Sequence, residues 1–511
     1  MLAKTTTASL IGLQVLKIDV EVDTANGLPA VNIVGLPDAT VKESRDRVRS
    51  AIDNSGMEFP MQRITVNLAP ADSRKEGAHF DLPIALAVLV STEQLPAEPL
   101  KDTIVIGELS LDGSILRVNG VLPMIMEMQR LGYDKAIIPW ENRFEAALVT
   151  GLQCCFVRNL KELVQHIQQG IKFLPAENFL PESDLSDSHT DHFSDLRGQE
   201  NLKRALEIAA AGGHNLIMIG PPGSGKTMAA RRLPAILPDM SFEESMEVAV
   251  IYSAAGLLTP DKKFFKTRPF RAPHHTTSSV ALTGGGKIPR PGEISLSHRG
   301  VLFLDELPEF DKRSLEILRQ PLEDGHVTVS RSAGSFKFPS EFMLIAALNP
   351  CPCGFFGFEE KGRVCQCAPY QIQRYVNRIS GPLLDRMDLF VEARRIEYED
   401  LNREDTQDQT GKIKQSVQKA RELQRGRYQN TPYTTNASLK PAMIRQVCRM
   451  SGEAEKLVEE AYDKMKLSAR AYHRILKVSR TIADLDNSDL IQKQHLAEAL
   501  QFRTLHHFRR S

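Results

Sequence analysis

The stretch Gly220-Pro221-Pro222-Gly223-Ser224-Gly225-Lys226-Thr227 constrains this chain more than any other feature. It follows the short apolar run Leu216–Ile219 (LIMI) and precedes Met228–Leu233, which suits a helix. Glycines let the backbone turn sharply enough for several N–H groups to face one anion, and the helix behind adds the positive end of its dipole. Strand, loop and helix in this order commit the surrounding chain to an α/β sheet with a phosphate-binding end. Lys226 then reaches the β and γ phosphates of a nucleotide, and the Thr227 hydroxyl ligates Mg²⁺. A Gly-rich turn that matches by chance is the alternative.

Some eighty residues on, a second apolar run, Val301–Leu304 (VLFL), ends in Asp305-Glu306. Open α/β sheets bind ligand at the carboxyl ends of their strands. There Asp305 would hold the metal, directly or through water, and Glu306 would orient the attacking water; two acids capping the next helix is the bland reading. A third strand-like run, Met343–Ala347, ends at Asn349, whose amide could contact the γ phosphate or the lytic water, or mark a turn before Pro350. Arg386, in SGPLLDRMD, is the candidate for an arginine donated across a subunit boundary to neutralise transition-state charge. Arg470, in LSARAYHRILKVSR, is the candidate for a second phosphate-facing arginine on a helical lid, with Arg474 one turn further on as its competitor.

Seven cysteines in a large chain without a secretory pattern argue against a disulfide framework. Cys351-Pro352-Cys353 and Cys365-Gln366-Cys367 lie eleven residues apart, with Gly354, Gly357 and Gly362 between them. Four thiolates so placed can make a tetrahedral, structural Zn²⁺ site, although C-x-C is less usual than C-x-x-C. Incidental thiols or a redox pair are the competing readings. Lysine plus arginine and aspartate plus glutamate number 64 each, so overall charge is silent on nucleic acid and any DNA site must come from local clustering. No apolar run approaches the roughly 18 residues of a membrane helix, and the N-terminus lacks a convincing cleavage site, so a cytoplasmic protein without membrane contact is expected.

The fold class expected is α/β multidomain. Residues 1–175 mix strand-like segments (Val15–Val22, Ala30–Val34, Ile64–Leu68) with a helix opening at Asp81-Leu82-Pro83, and Asp112-Gly113 signals a hairpin. Residues 176–195 carry six acids and no lysine or arginine and read as an exposed linker. Residues 196–397 form the nucleotide-binding α/β core. In 398–511 strand signals fade and helical spacing takes over, as in Ala461–Leu485. Gly325–Pro339 reads as a hairpin with Arg331 and Lys337 flanking its tip, and the Gly/Pro-rich loop Thr283–Gly292 bears Lys287 and Arg290. Two basic loops between the phosphate loop and Asn349 would suit gripping a phosphate backbone; solvated charge is the alternative. His274-His275 points two ways on a helix and makes a poor shared metal site.

Taken together, GPPGSGKT, APHHT, RPGEISLSHRGVLFLDELPEF, AALNPCPCG and SGPLLDRMDL resemble the magnesium-chelatase-like AAA+ ATPases, in particular the ComM/YifB competence family, over essentially the whole chain. The resemblance implies an AAA+ P-loop core with an insert in helix 2, an all-helical C-terminal lid, and a ring, read as a homo-hexamer. It implies ATP and Mg²⁺, DNA as partner, and ATP-driven branch migration that helps integrate incoming strands during natural transformation, with other recombination proteins as further partners. A remodeller or chelatase-type motor acting on a protein partner is the alternative. Residues 1–175 are similar to the α+β proteolytic domain of Lon through GLPDATVKESRDRV, VNLAPADSRKEGAHFDLPIALA and GELSLDGSILRVNGVLP. Where Lon's nucleophilic serine follows K-D-G-P, Lys75-Glu76-Gly77-Ala78 leads here to His79. Where its catalytic lysine follows G-G-L, Asn119-Gly120-Val121 leads to Leu122. Without a Ser–Lys pair, peptidase chemistry is not expected.

Overall fold

The computed structural model describes residues 1–179, 193, 196–258, 267–286, 289–331, 334–358, 364–395 and 409–503. Lys287, most of the acidic stretch and the expected boundary at 397/398 lie outside the described residues.

The N-terminal part is built on strands β1 (Leu2–Ile11), β2 (Gln14–Ala25), β3 (Ala30–Val34), β4 (Arg63–Ala69), β5 (Thr103–Val105), β6 (Glu108–Leu109), β7 (Ile115–Leu116), β8 (Lys135–Pro139), β9 (Gln153–Val157) and β10 (Leu174–Pro175). Eight of them form one mixed sheet in the order β10-β9-β8-β5-β1-β2-β4-β3. The first residues, which show no clean alternation, become its central strand. Thr5, Thr6 and Thr7 are buried there, β-branched side chains that suit a pleated surface. The helix Asp81–Ser91 is buried along its whole length. Asp112-Gly113 does make a turn, with β6 and β7 antiparallel on either side.

The next part holds β11 (Leu216–Ile219), β12 (Phe270–Arg271), β13 (Gly284–Gly285), β14 (Arg290–Pro291), β15 (Val301–Leu304), β16 (His326–Arg331), β17 (Gly334–Pro339), β18 (Met343–Leu348) and β19 (Leu389–Glu392). Five form a parallel sheet in the order β12-β15-β18-β11-β19. In register, Ile219 lies beside Leu348, and Leu304 beside Ala346, so the carboxyl ends of β11, β15 and β18 open on one edge. β13–β14 and β16–β17 are separate antiparallel ribbons.

The C-terminal part is helical, and the stretch of helical spacing over Ala461–Leu485 spans two helices. Gly452–Met465 ends at Lys466 in the left-handed conformation, and Ala469–Leu485 restarts where Ser468 accepts from the Ala471 N–H. A helical apolar spacing carries through such a break because only two or three residues leave the pattern. These helices share one hydrophobic core with the parallel sheet, in which Ala420, Ile475, Ile482 and Leu496 join Leu206, Met218 and Ile345.

Both ends of the acidic stretch are packed, contrary to a wholly exposed tether: the Ala176 N–H donates to Leu152 O at 2.9 Å, and Phe193 is fully buried in the core. One aromatic outweighs its polar surroundings when the surface it covers is large. The N-terminal part also docks on the helix Phe242–Ala254. Val121, Leu122 and Ile125 share a cluster with Val248, Ile251 and Tyr252. At its centre buried Glu145 accepts from Ser253 Oγ at 2.6 Å and from the Leu122 N–H at 3.2 Å.

Candidate nucleotide site

The phosphate loop leaves β11 at Gly220, where a Cβ would overlap the Ala393 carbonyl, so only glycine fits. The loop closes at Gly225, in the left-handed region at φ 81°, directly before the helix Lys226–Arg232. Lys226 is buried, and its ammonium is folded back on its own loop: Nζ donates to Gly220 O at 2.8 Å and Pro221 O at 2.9 Å. It also reaches Ser224 Oγ and, from the next strand end, Asn349 Oδ1, each at 3.3 Å. Burial lowers its pKa to about 8, against the upward pull of Asp305 and Glu306.

The acids come from β15 as register demands. Thr227 Oγ1 donates to Asp305 Oδ2 at 2.5 Å, and the Glu306 N–H donates to Asp305 Oδ1 at 2.9 Å. Hydroxyl and carboxylate from two strand ends therefore converge on one point, the donor set a Mg²⁺ bound to phosphates takes. Glu306 itself has φ 50°, left-handed and strained for a non-glycine residue. The structure thus brings Gly220 through Thr227, Asp305, Glu306 and Asn349 to one place.

Two more residues belong to this place. His275 Nδ1 lies 3.5 Å from Glu306 Oε2, its ring 4.1 Å from that of His274. Gln199 donates to Ser224 O at 2.9 Å, bracing the loop from the chain before it. Sequence reasoning asked of the His pair only whether it shares a metal. No local signal marks them: the pair closely follows β12, and only the sheet order sets β12 beside β15, the strand that delivers the acids.

The four cysteines also meet. Sγ of Cys351, Cys353, Cys365 and Cys367 all lie within 4.8 Å of one another, with 3.3, 3.8 and 3.6 Å among the first three. Tetrahedral zinc with Zn–S near 2.3 Å needs S···S edges of about 3.8 Å. The donor set fits zinc.

The arginines are not brought to the phosphate loop of their own chain. Arg386 is buried, ion-paired with Glu323, and donates to Pro382 O at 2.7 Å and Arg319 O at 3.2 Å. Its carbonyl accepts from Asn215, which precedes β11, so Arg386 sits at the sheet edge opposite the phosphate loop. Arg474 is spent at that same edge on Asp388, at 2.5 Å, and Arg470 is exposed one turn before it. Arg474 therefore faces Asp388 rather than the phosphate loop of its own chain. The physical reason is the shared core, which draws Ala469–Leu485 under the amino ends of the strands, where Thr481 bonds His214 at 2.7 Å.

Of the basic loop residues, Arg290, Arg331 and Lys337 are exposed, and Lys287 is outside the described residues. The two ribbons are neighbours: a Cβ on Gly285, which pairs with Arg290, would come within 2.8 Å of Arg331 Nη2.

At the two positions compared above with Lon, His79 is buried, with Nε2 3.1 Å from Ala8 O, and burial lowers its pKa to about 4. Leu122 is fully buried. Neither supplies a nucleophile. Among the described residues no helix is long and apolar enough to cross a membrane.

Comparison with known proteins agrees along the chain. Family models match residues 20–142 (subunit ChlI of Mg-chelatase), 192–401 (magnesium chelatase, subunit ChlI) and 407–503 (the ChlI C-terminal part). The chain is 45% identical over 499 residues to competence protein ComM of Haemophilus influenzae, covering 97% of this chain and 96% of that one. It is 44% identical over 504 residues to YifB, an uncharacterised protein of Escherichia coli, covering 98% and 96%. It is 27% identical over 177 residues to the magnesium-chelatase 38 kDa subunit of Rhodobacter capsulatus, covering 31% and 50%. Over nearly its full length, then, this chain belongs to the ComM/YifB-type magnesium-chelatase-like proteins, within the AAA+ ATPases.

Proposed function

We propose that the chain is one subunit of a hexameric, ATP-driven DNA motor that migrates branched junctions and so promotes integration of incoming strands during natural transformation and recombination. The observation that carries this reading is a pairing: Thr227 meets Asp305 at 2.5 Å, and on the same core the exposed Arg290 and Arg331 stand on neighbouring ribbons. The first arrangement suits triphosphate hydrolysis, the second a polyanion. A relative named for competence adds the biological setting.

In this mechanism Lys226 leaves the carbonyls of Gly220 and Pro221 for the β and γ phosphates. Thr227 and Asp305 hold Mg²⁺, which neutralises phosphate charge. Glu306 orients the lytic water once it is free of His275, and Asn349 senses the γ phosphate. Arg386, at the opposite sheet edge, and exposed Arg470 serve the nucleotide of the adjacent subunit; for Arg386 this requires release from Glu323. Cys351, Cys353, Cys365 and Cys367 hold a structural Zn²⁺. The N-terminal part, Lon-like without the dyad, organises the ring. Because it grips Ser253 through Glu145, it moves with the helix Phe242–Ala254.

The deciding experiment is the ATPase rate of the full chain with single-stranded, duplex and forked DNA, followed by branch migration on a four-way junction. Stimulation by forked or branched DNA with junction movement is expected. ATP turnover indifferent to every DNA would overturn the DNA reading and favour a protein substrate.

A further inference from the structure

The cysteine loop and the phosphate loop are in direct contact. Cys351 follows Asn349 by two residues, and the Asn349 amide already reaches Lys226. The loop then turns tightly. The Gly354 N–H donates to Cys351 O at 3.0 Å, and the Phe356 N–H reaches Cys351 Sγ at 3.4 Å. This turn seats the Gly354 backbone, at φ 87°, against the Pro222 ring, so closely that a Cβ on Gly354 would overlap Pro222 Cδ. Pro222 is the residue after Pro221, whose carbonyl holds Lys226 at 2.9 Å.

We infer that the metal-bound cysteine loop is a brace for the phosphate loop, so that zinc and nucleotide bind with positive linkage through the Gly354–Pro222 contact. The inference rests on the zinc reading above. A phosphate that draws Lys226 away from Gly220 O and Pro221 O frees two carbonyls and lets the loop resettle. Where Pro222 comes to rest depends on what stands behind it. With four thiolates on one ion, Cys351–Gly354 is pinned to the segment Cys365–Cys367 and offers a fixed wall. Without the ion, that wall keeps its own turn hydrogen bonds and the thiol contacts but loses the covalent tie to the segment Cys365–Cys367. A state of the phosphate loop that needs the wall must, by reciprocity, favour the state of the cysteine loop that makes it.

The test uses the full-length, zinc-loaded protein and follows release of zinc to a chromogenic pyridylazo chelator, with and without saturating Mg·ADP. Release at least about fivefold slower with nucleotide is expected, the lower end of ordinary coupling between sites. Pro222→Ala should retain its zinc and lose most of that protection. Gly354→Ala, which drives a methyl group into Pro222, should weaken ADP binding at unchanged zinc content. Should Pro222→Ala no longer bind ADP, the Gly354→Ala affinity decides alone. Protein that purifies without zinc, its four thiols freely alkylated, would sink the zinc reading itself. Zinc that is present but leaves at one rate whatever the nucleotide would overturn the linkage only, and so would equal protection in Pro222→Ala or unchanged ADP affinity in Gly354→Ala.

Discussion

Lys226 offers the sharpest quantitative test of the site. Its ammonium is buried against two carbonyls, which do not fully replace water, and its pKa falls from 10.5 to about 8. At about 1.4 kcal/mol per unit, the charged form in the empty site is disfavoured by on the order of 3 kcal/mol. Phosphates supply the missing charge and pull the pKa back up, so nucleotide binding takes up a proton wherever the empty site has lost one. With a pKa near 8, the protonated fraction falls about thirtyfold between pH 7 and 9.5, and affinity should fall with it. Phosphate ionisation is complete over most of that range and does not imitate the effect. The contribution to folding runs the other way. Between about 8 and 10.5 the empty native protein binds fewer protons here than the unfolded chain, so stability rises with pH in that window. Titration of a fluorescent ADP analogue from pH 7 to 9.5 checks the first slope, and calorimetry at pH 8.5 in two buffers of different ionisation enthalpy counts the proton. An affinity flat within twofold, or the same slope in Lys226→Met, would refute the reasoning.

Glu306→Gln should bind ATP with near-normal affinity and lose turnover by a factor of roughly 10² or more, read by single-turnover hydrolysis beside equilibrium binding. Arg386→Ala should abolish turnover when pure and recover part of it in mixed rings with Lys226→Ala, where each defect can sit beside an intact partner residue; absence of recovery at every mixing ratio argues against a role across the boundary. Neutralising Lys287, Arg290, Arg331 and Lys337 together should weaken binding to all DNA sequences alike and flatten the salt dependence by up to about four phosphate contacts. Asp388→Ala should destabilise the chain by roughly 3–5 kcal/mol in urea unfolding, because it removes the buried carboxylate that faces half-buried Arg474 and buried His214. In the wild type, burial alone would raise the Asp388 pKa, but Arg474 and His214 more than offset it and hold the carboxyl well below the usual range. That stabilisation is therefore complete above about pH 4, the ordinary value, and is lost as pH falls through the folded-state value.

The phosphate side of the site was legible because each of its parts ends a strand. A short apolar run followed by Gly220, by Asp305 or by Asn349 carries strand and functional group in one segment, and parallel register then delivers all three to the same edge. The four cysteines were legible for a similar reason, since both pairs lie on one short excursion of the chain. What stayed hidden depends on long-range packing. That β1 would be central could not be read from MLAKTTTASLI, because its threonines are as consistent with a surface as with the pairing Leu2↔Asp23 to Ile11↔Gln14 that buries them. The His275–Glu306 contact joins residues from adjacent strands whose neighbourhood no local pattern announces.

The lid arginines mark the deepest of these limits, and the reason also bears on assembly. Helical spacing in Ala469–Leu485 identifies an apolar face but not the surface it covers. Here that face closes on Leu206, Met218 and Ile345, while Arg474 locks to Asp388 and Thr481 to His214. The helix is thereby held at the amino end of the sheet, and the length of the strands separates Arg386 and Arg474 from the phosphate loop of the same chain. A β-strand of four residues, such as Leu216–Ile219, spans about 13 Å, well beyond the reach of a guanidinium that must touch a phosphate oxygen. On the proposed reading one chain carries the phosphate cradle, Asp305 and Glu306 at one edge and Arg386 at the other. Packing one subunit against the next is the simplest way to bring the two edges together. On this argument isolated chains should hydrolyse ATP slowly and in proportion to concentration squared at low occupancy. A specific activity unchanged on dilution through the assembly transition would show that a single chain completes its own site.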